Sequence, residues 1–219
     1  MDSIYQKAGI FPYGFYYKLL LITRVSTGES GTRTEKMKRH YLAAVFAVMC
    51  IALAHADVVL DEAHFPDPNF RAFITSKTGV AEGGTITDEI IAKTTSLSMT
   101  YMYLRNLKGV EYFTSLTYLN CNGNILTTLD VSNLTQLTTL NCNSNKLSSL
   151  DVTKCTQLTE LNCGNNHLSS LDVTKCTQLT DLSCADNQIS SLDVTKCTQL
   201  KVLYCIGNQL SSLDVSNCT

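Results

Sequence analysis

From Leu116 to the chain end, apolar residues return at the same positions with a constant period. The unit L-x-x-L-x-C-x-x-N-x-L-x-x-L-D-V-x-x-C-x-x occupies 116–136, 137–157, 158–178 and 179–199, and a last copy runs over 200–219. A fixed period of this length predicts a stacked solenoid in which each unit is one turn. Within a unit, L-x-x-L-x-C nearly alternates apolar and polar residues, as a short strand with one buried face must. Leu137, Leu140 and Cys142 are expected to point inward, and Thr139 and Asn141 outward. Leu147, Leu150, Val152 and Cys155 should fill the core from the opposite, irregular side. Asn124, Asn145, Asn166, Asn187 and Asn208 recur without exception, and an inward amide bonded to backbone groups of its own and adjacent turns explains them. Asp130, Asp151, Asp172, Asp193 and Asp214 precede the buried Val and read as turn-capping carboxylates.

Before the array the pattern changes. Over 57–96, Asp67 is placed to cap a helix that starts at Pro68 and turns Phe70, Phe73 and Ile74 to one face. After a Gly-rich break at 79–84, Thr87 is placed to cap a second helix with Asp88 and Glu89 in its first turn. Two helices around a Gly-containing loop suggest a calcium loop, but Gly79, Ala81 and Gly83, or in the other register Thr78, Val80 and Glu82, stand where most ligands belong. A helical cap with a structural loop is the better reading, since stacked turns need a terminal unit over their apolar end. Leu97, Met99, Leu104, Leu107, Val110, Tyr112 and Phe113 read as a first, degenerate turn joining cap to array.

Further upstream, Met37-Lys-Arg-His is followed by an apolar run over 41–54 and a small-x-small exit, Ala54-His55-Ala56. These are the three parts of a secretory signal peptide at 37–56, and the run falls short of the ~20 residues that span a bilayer. A lipid anchor at Cys50 is disfavoured because Met49 stands where a small residue is needed. Residues 1–36 show no periodicity and read as an upstream extension, with a long n-region as the alternative. The repeats occupy 97–219, and the sequence stops in mid-turn, as expected of an array that is incomplete at its carboxy end.

Charge and cysteines narrow the function. The whole chain has a formal charge of −2, but 57–219 hold 10 Lys and Arg against 16 Asp and Glu, which excludes the basic stripe of a nucleic-acid surface. Nine of the ten cysteines sit at two repeat positions, Cys121, Cys142, Cys163, Cys184 and Cys205, and Cys155, Cys176, Cys197 and Cys218. Both positions are apolar by pattern, so two ladders of buried thiols are expected rather than a disulfide framework, a zinc site or a nucleophile.

Residues 97–219 thus resemble bacterial secreted leucine-rich repeat proteins of the 21-residue, cysteine-containing type, in the internalin-like group. Residues 57–96, with Phe65-Pro-Asp and Asn69-Phe-Arg, resemble the helical cap before such arrays. The departures are Leu134 at a cysteine position and a degraded calcium-like loop. The resemblance implies a leucine-rich repeat solenoid, with short parallel strands on one face, irregular turns on the other and an N-terminal helical cap, used for protein recognition. It implies a secreted or cell-surface binding module without catalytic activity and without a cofactor. The alternative is the targeting region of a larger exported enzyme or glycan-binding protein. The expected partner is a protein on a host or neighbouring-cell surface, not nucleic acid, and no transmembrane span is expected. Recognition belongs where side chains vary over a constant frame: Tyr118, Asn120, Thr139, Asn141, Glu160, Asn162, Asp181, Ser183, Val202 and Tyr204.

Overall fold

The structure is a computed structural model that describes residues 57–218. The extension expected at 1–36 and the signal peptide expected at 37–56 lie outside the described residues. In chain order the elements are β1 (Val58–Val59), α1 (Pro68–Thr78), β2 (Thr85–Ile86), α2 (Asp88–Lys93), β3 (Ser96–Ser98), a 3-10 turn (Val110–Tyr112), β4 (Tyr118–Asn120), β5 (Thr139–Asn141), β6 (Glu160–Asn162), β7 (Asp181–Ser183) and β8 (Val202–Tyr204). Strands β3 to β8 form one parallel sheet in sequence order, each strand paired with the next turn's. Among the described residues no helix is long and apolar enough to cross a membrane.

Helix α1 begins where the local chemistry requires. The Asp67 carboxylate accepts the amides of Asn69 (2.9 Å) and Phe70 (3.1 Å), Pro68 opens the helix, and Gly79 closes it with φ of 76°. Thr87 caps α2 through the Ile90 amide. The Gly-rich segment between the helices does more than connect them. Leu60 N donates to Gly84 O at 2.9 Å and Gly83 N to Leu60 O at 2.7 Å, which lines up the antiparallel β1–β2 pair. Two-residue strands carry too little alternation to be read from sequence, so this antiparallel pair, closed around α1, is a structural addition to the helical cap.

Asp67 also joins the helical segment to the first turn. Its second oxygen accepts the amides of Arg105 (2.7 Å) and Asn106 (3.3 Å), although the side chain is almost fully buried. Phe65 packs beside it among Phe70, Tyr112 and Phe113, with ring centroids 5.7, 5.8 and 6.4 Å away. Leu97, Met99, Leu104, Leu107, Val110 and Phe113 are buried in the core that continues through the regular turns.

In the regular turns the two sides of each unit meet around Leu, Val and Cys. Leu140, Cys142, Leu147, Val152 and Cys155 are fully buried, and their repeats behave alike through Cys197. The tight corner after each strand is held by the buried Asn. Asn166 is typical: Oδ1 accepts Leu147 N (2.9 Å), and Nδ2 donates to the carbonyls of Cys142, Cys163 and Gly164, each at 3.1 Å. One amide thereby satisfies groups from its own turn and the preceding one, where water cannot reach. On the irregular side, Asp151 accepts both the hydroxyl (2.7 Å) and the amide (2.9 Å) of Thr153, and Asp172 and Asp193 repeat this. The Thr153 hydroxyl and amide hold the Asp151 carboxyl below its ordinary value. Its contribution to stability is therefore present above the unfolded-state value and is lost as pH falls through the folded one.

In the last turn the core positions are less covered. Leu203, Cys205, Leu210, Leu213 and Cys218 are half-buried, and Ile206 is 78% exposed. Asn208 keeps its bonds to Ile189 N, Cys184 O and Cys205 O but sits in this wetter setting. The ladder thus predicts a gradient. Asn166→Ala should cost about 2–4 kcal/mol in urea unfolding, because it orphans buried carbonyls and an amide. Asn208→Ala should cost clearly less, and equal losses would show that desolvated backbone is not what the ladder controls.

Candidate functional site

The ten variable strand positions fall into two straight columns. Strand register places Tyr118, Thr139, Glu160, Asp181 and Val202 side by side, and Asn120, Asn141, Asn162, Ser183 and Tyr204 in the second file. Strand β3 extends the columns with Ser96 and Ser98, which the repeat pattern did not reveal. Between the columns, Leu97, Leu119, Leu140, Leu161 and Leu182 are buried, so the outward side chains stand on a rigid row roughly 4.8 Å apart per turn.

Each file has its own polarity. Asn120, Asn141 and Asn162 fold their Oδ1 back onto the amide two residues on, at 3.1, 3.1 and 3.3 Å. That fixes the carboxamides, and Asn120 Nδ2 donates to the Tyr118 hydroxyl at 3.2 Å. In the other file Glu160 and Asp181 are direct cross-strand neighbours. Like charges in register oppose strand pairing, so this pair works against the sheet that carries it. Asp181 takes some relief from the Thr180 hydroxyl, which donates to its Oδ2 at 2.7 Å. Glu160 is exposed, and neither column contains Lys or Arg. Tyr204, 62% exposed, stands at the far end of the second column and Tyr118, half-buried, at the near end of the first.

The chemistry available in the core is limited by burial. All nine described cysteines are free thiols. Desolvation pushes the Cys121, Cys176 and Cys184 thiols up to about 12 and Cys155 and Cys197 to about 11, so they are neutral at pH 7 and poor nucleophiles. The Sγ of Cys155 donates to Val131 O at 3.5 Å, and Cys176 and Cys197 repeat the contact to Val152 and Val173. Among the described residues no group of three His, Cys, Asp or Glu is placed to hold a metal ion.

The surface carries one feature that the repeat pattern concealed. Tyr101 and Tyr103, 71% and 77% exposed, both have left-handed backbone, with φ of 55° and 56°. In register, Tyr101 corresponds to Gly123, and Ser144, Asn165, Asp186 and Gly207 continue that slot, all with positive φ. Gly takes this conformation freely and Asn and Asp adopt it more readily than most, whereas a bulky residue pays about 1–3 kcal/mol. The signal was present as a Tyr-x-Tyr just after the first strand of an aromatic-rich turn, but the slot was obscured by spacing. Ser98 pairs with Asn120 and Asn120 with Asn141, so the first turn is longer than the regular ones by a single residue.

Comparisons with known proteins agree with this geometry. Residues 135–176 and 177–217 match the leucine-rich repeat family in its two-copy unit. Internalin J of Listeria monocytogenes is 42% identical over 68 residues, which is 31% of this chain and 7% of that protein. A solved domain of InlJ from Listeria monocytogenes, described as including a cysteine ladder, is similar with a TM-score of 0.62 and 38% identity, over 74% of this chain and 41% of that one. The structure of an internalin, InlF, from the same species gives 0.64 and 27%, over 75% and 49%. The chain therefore spans less than half the length of each of these relatives.

The two ladders predict graded thiol reactivity. Cys205 and Cys218, half-buried in the last turn, should react with a disulfide reagent at neutral pH well before the seven buried thiols, which should wait for unfolding. Uniform labelling rates across the nine, read by peptide mass spectrometry, would contradict the burial.

Proposed function

Because the chain carries an internalin-like leucine-rich repeat array with a cysteine ladder, we propose that it is a binding module that recognises a protein through the outward face of β4 to β8. Its place of action is outside the cell or on its surface, in keeping with the signal peptide read at 37–56. The observation that carries this reading is the Glu160–Asp181 pair. Two acids held in register weaken the sheet, and a partner that brings Lys or Arg against them would convert that cost into affinity. Tyr118 and Tyr204 at the two ends supply aromatic contact area of the kind that dominates interface energetics. The rigid carboxamides of Asn120, Asn141 and Asn162 add hydrogen-bonding groups with little ordering cost. No catalytic step is assigned, since the core thiols are buried and neutral at pH 7.

Capture experiments on host and neighbouring-cell surface proteins test this. Tyr118→Ala with Tyr204→Ala should weaken capture at least tenfold. Glu160→Lys with Asp181→Lys should abolish it, and capture by the unaltered chain should weaken as salt rises. Unaltered capture by both double variants would move recognition off the strand face.

A further inference from the structure

We infer that the β8 edge of the sheet is a self-association surface: β8 pairs antiparallel with β8 of a second copy about a two-fold axis, joining two arrays tail to tail. The two edges of the sheet differ. At the β3 edge, Leu97 and Met99 are fully buried. At the β8 edge, Leu203 and Cys205 are half-buried, as are Leu210, Leu213 and Cys218 on the irregular side of the same turn. An apolar edge with open backbone groups is a template for another strand.

The hydrogen-bonding groups of that edge are self-complementary. In the preceding turn, Thr180 O accepts Lys201 N (2.8 Å) and Val202 N (3.0 Å), and Cys184 N donates to Tyr204 O at 2.8 Å. Their equivalents one turn on, Lys201 O and Cys205 N, have no partner among the described residues. Val202 and Tyr204 turn their backbone groups to β7, so alternation turns those of Leu203 outward. A two-fold axis at Leu203 answers all of these groups. Leu203 N meets Leu203 O of the second copy, and Cys205 N meets Lys201 O of the second copy, in both directions.

The side chains select a second copy over an unlike strand. Val202 and Tyr204 end columns that carry Thr139, Glu160 and Asp181, and Asn141, Asn162 and Ser183, in the turns before. In the two-fold register Val202 lies directly opposite Tyr204 of the second copy on the same face, which makes an aromatic and β-branched pair of the stabilising kind. The same operation on β7 would set Asp181 opposite Ser183, and on β6 Glu160 opposite Asn162. Only β8 offers an apolar match, and Tyr204 is 62% exposed without it. Charge agrees: Lys201 and Asp214 are the only charged residues in 200–219, so two such turns meet without net repulsion. The contact is isologous and the β3 edge is covered, so association closes at two copies.

The test needs no partner and so is independent of the recognition proposed above. Residues 57–219 are followed by sedimentation over a wide concentration range, in reductant so that Cys205 and Cys218 cannot cross-link copies. A monomer–dimer equilibrium with nothing larger is expected. Val202→Glu with Tyr204→Glu sets acids opposite each other across the two-fold and should weaken the dimer about tenfold or more. Val202→Lys with Tyr204→Lys should do the same. These outward strand sites already accept charge at Glu160 and Asp181, so both variants should keep the parent's circular dichroism. Mixing the acidic and basic variants should restore the dimer, because each Glu then faces a Lys. A chain that stays monomeric would overturn the proposal and leave the edge to a strand of another protein. Growth beyond dimers, a dimer indifferent to the acidic variant, or a mixture that fails to associate would overturn it equally.

Discussion

A backbone that turns sharply within every repeat leaves amides and carbonyls facing inward at each corner, where strand pairing cannot reach them. The buried Asn supplies what is missing. Its Oδ1 receives an amide of the preceding turn, as Leu126 N does to Asn145 and Leu168 N to Asn187, while Nδ2 bridges carbonyls of both turns. The same side chain thereby fixes the corner and the spacing to its neighbour. No other residue offers a donor pair and an acceptor on so short a stem. Asp would lack the donor and add a buried charge, and Gln would place the amide one carbon too far along. The regularity of the Leu and Cys positions follows from this constraint, because a corner pinned in every turn leaves the core one repeat to fill.

The constraint also separates frame from function. Positions that face the core or the corner are committed to Leu, Val, Cys or Asn, and the Asp–Thr pairs on the irregular side are committed to one another. Among the strand residues only the outward positions are released, and exposed turn positions such as Lys146, His167, Gln188 and Gln209 also vary. Within the columns the chain places a charge pair that the sheet would be better without, Glu160 beside Asp181. A frame that is stable through many repeated contacts can carry such a local cost.

How far the sequence could be read tracks the range of the interactions involved. The array was legible because its signal is repeated five times and each contact is to the next copy. Helix α1 was legible because Asp67, Pro68 and Gly79 act within a short stretch of chain. The β1–β2 pair was not, since two residues show no alternation and its register depends on Leu60 meeting Gly83 and Gly84 across α1. The second role of Asp67 was hidden for the same reason: its bond to Arg105 N spans 38 residues. The ten outward residues were placed correctly as positions, but nothing in their identity told which of them would share a column with a like charge until register was known.

Tyr101 and Tyr103 show what regularity conceals. A fixed-period template laid over the first turn assigns the wrong partners, because β3 pairs with β4 across a separation longer by a single residue than that between later strands. Once that extra residue is counted, Tyr101 stands where every later turn uses Gly, Ser, Asn or Asp. The first turn also replaces the ladder Asn by Met102, whose carbonyl is then taken by Asn69 from α1. This corner is held from α1 on one side and from Asn124 on the other, whose Oδ1 accepts Met102 N and Leu104 N. The left-handed slot then carries a bulky residue at its backbone cost, and the glycine at Gly123 admits the ring. An array built by repetition is free to depart from its pattern at the turn another element supports, and that is where its two most exposed aromatics stand.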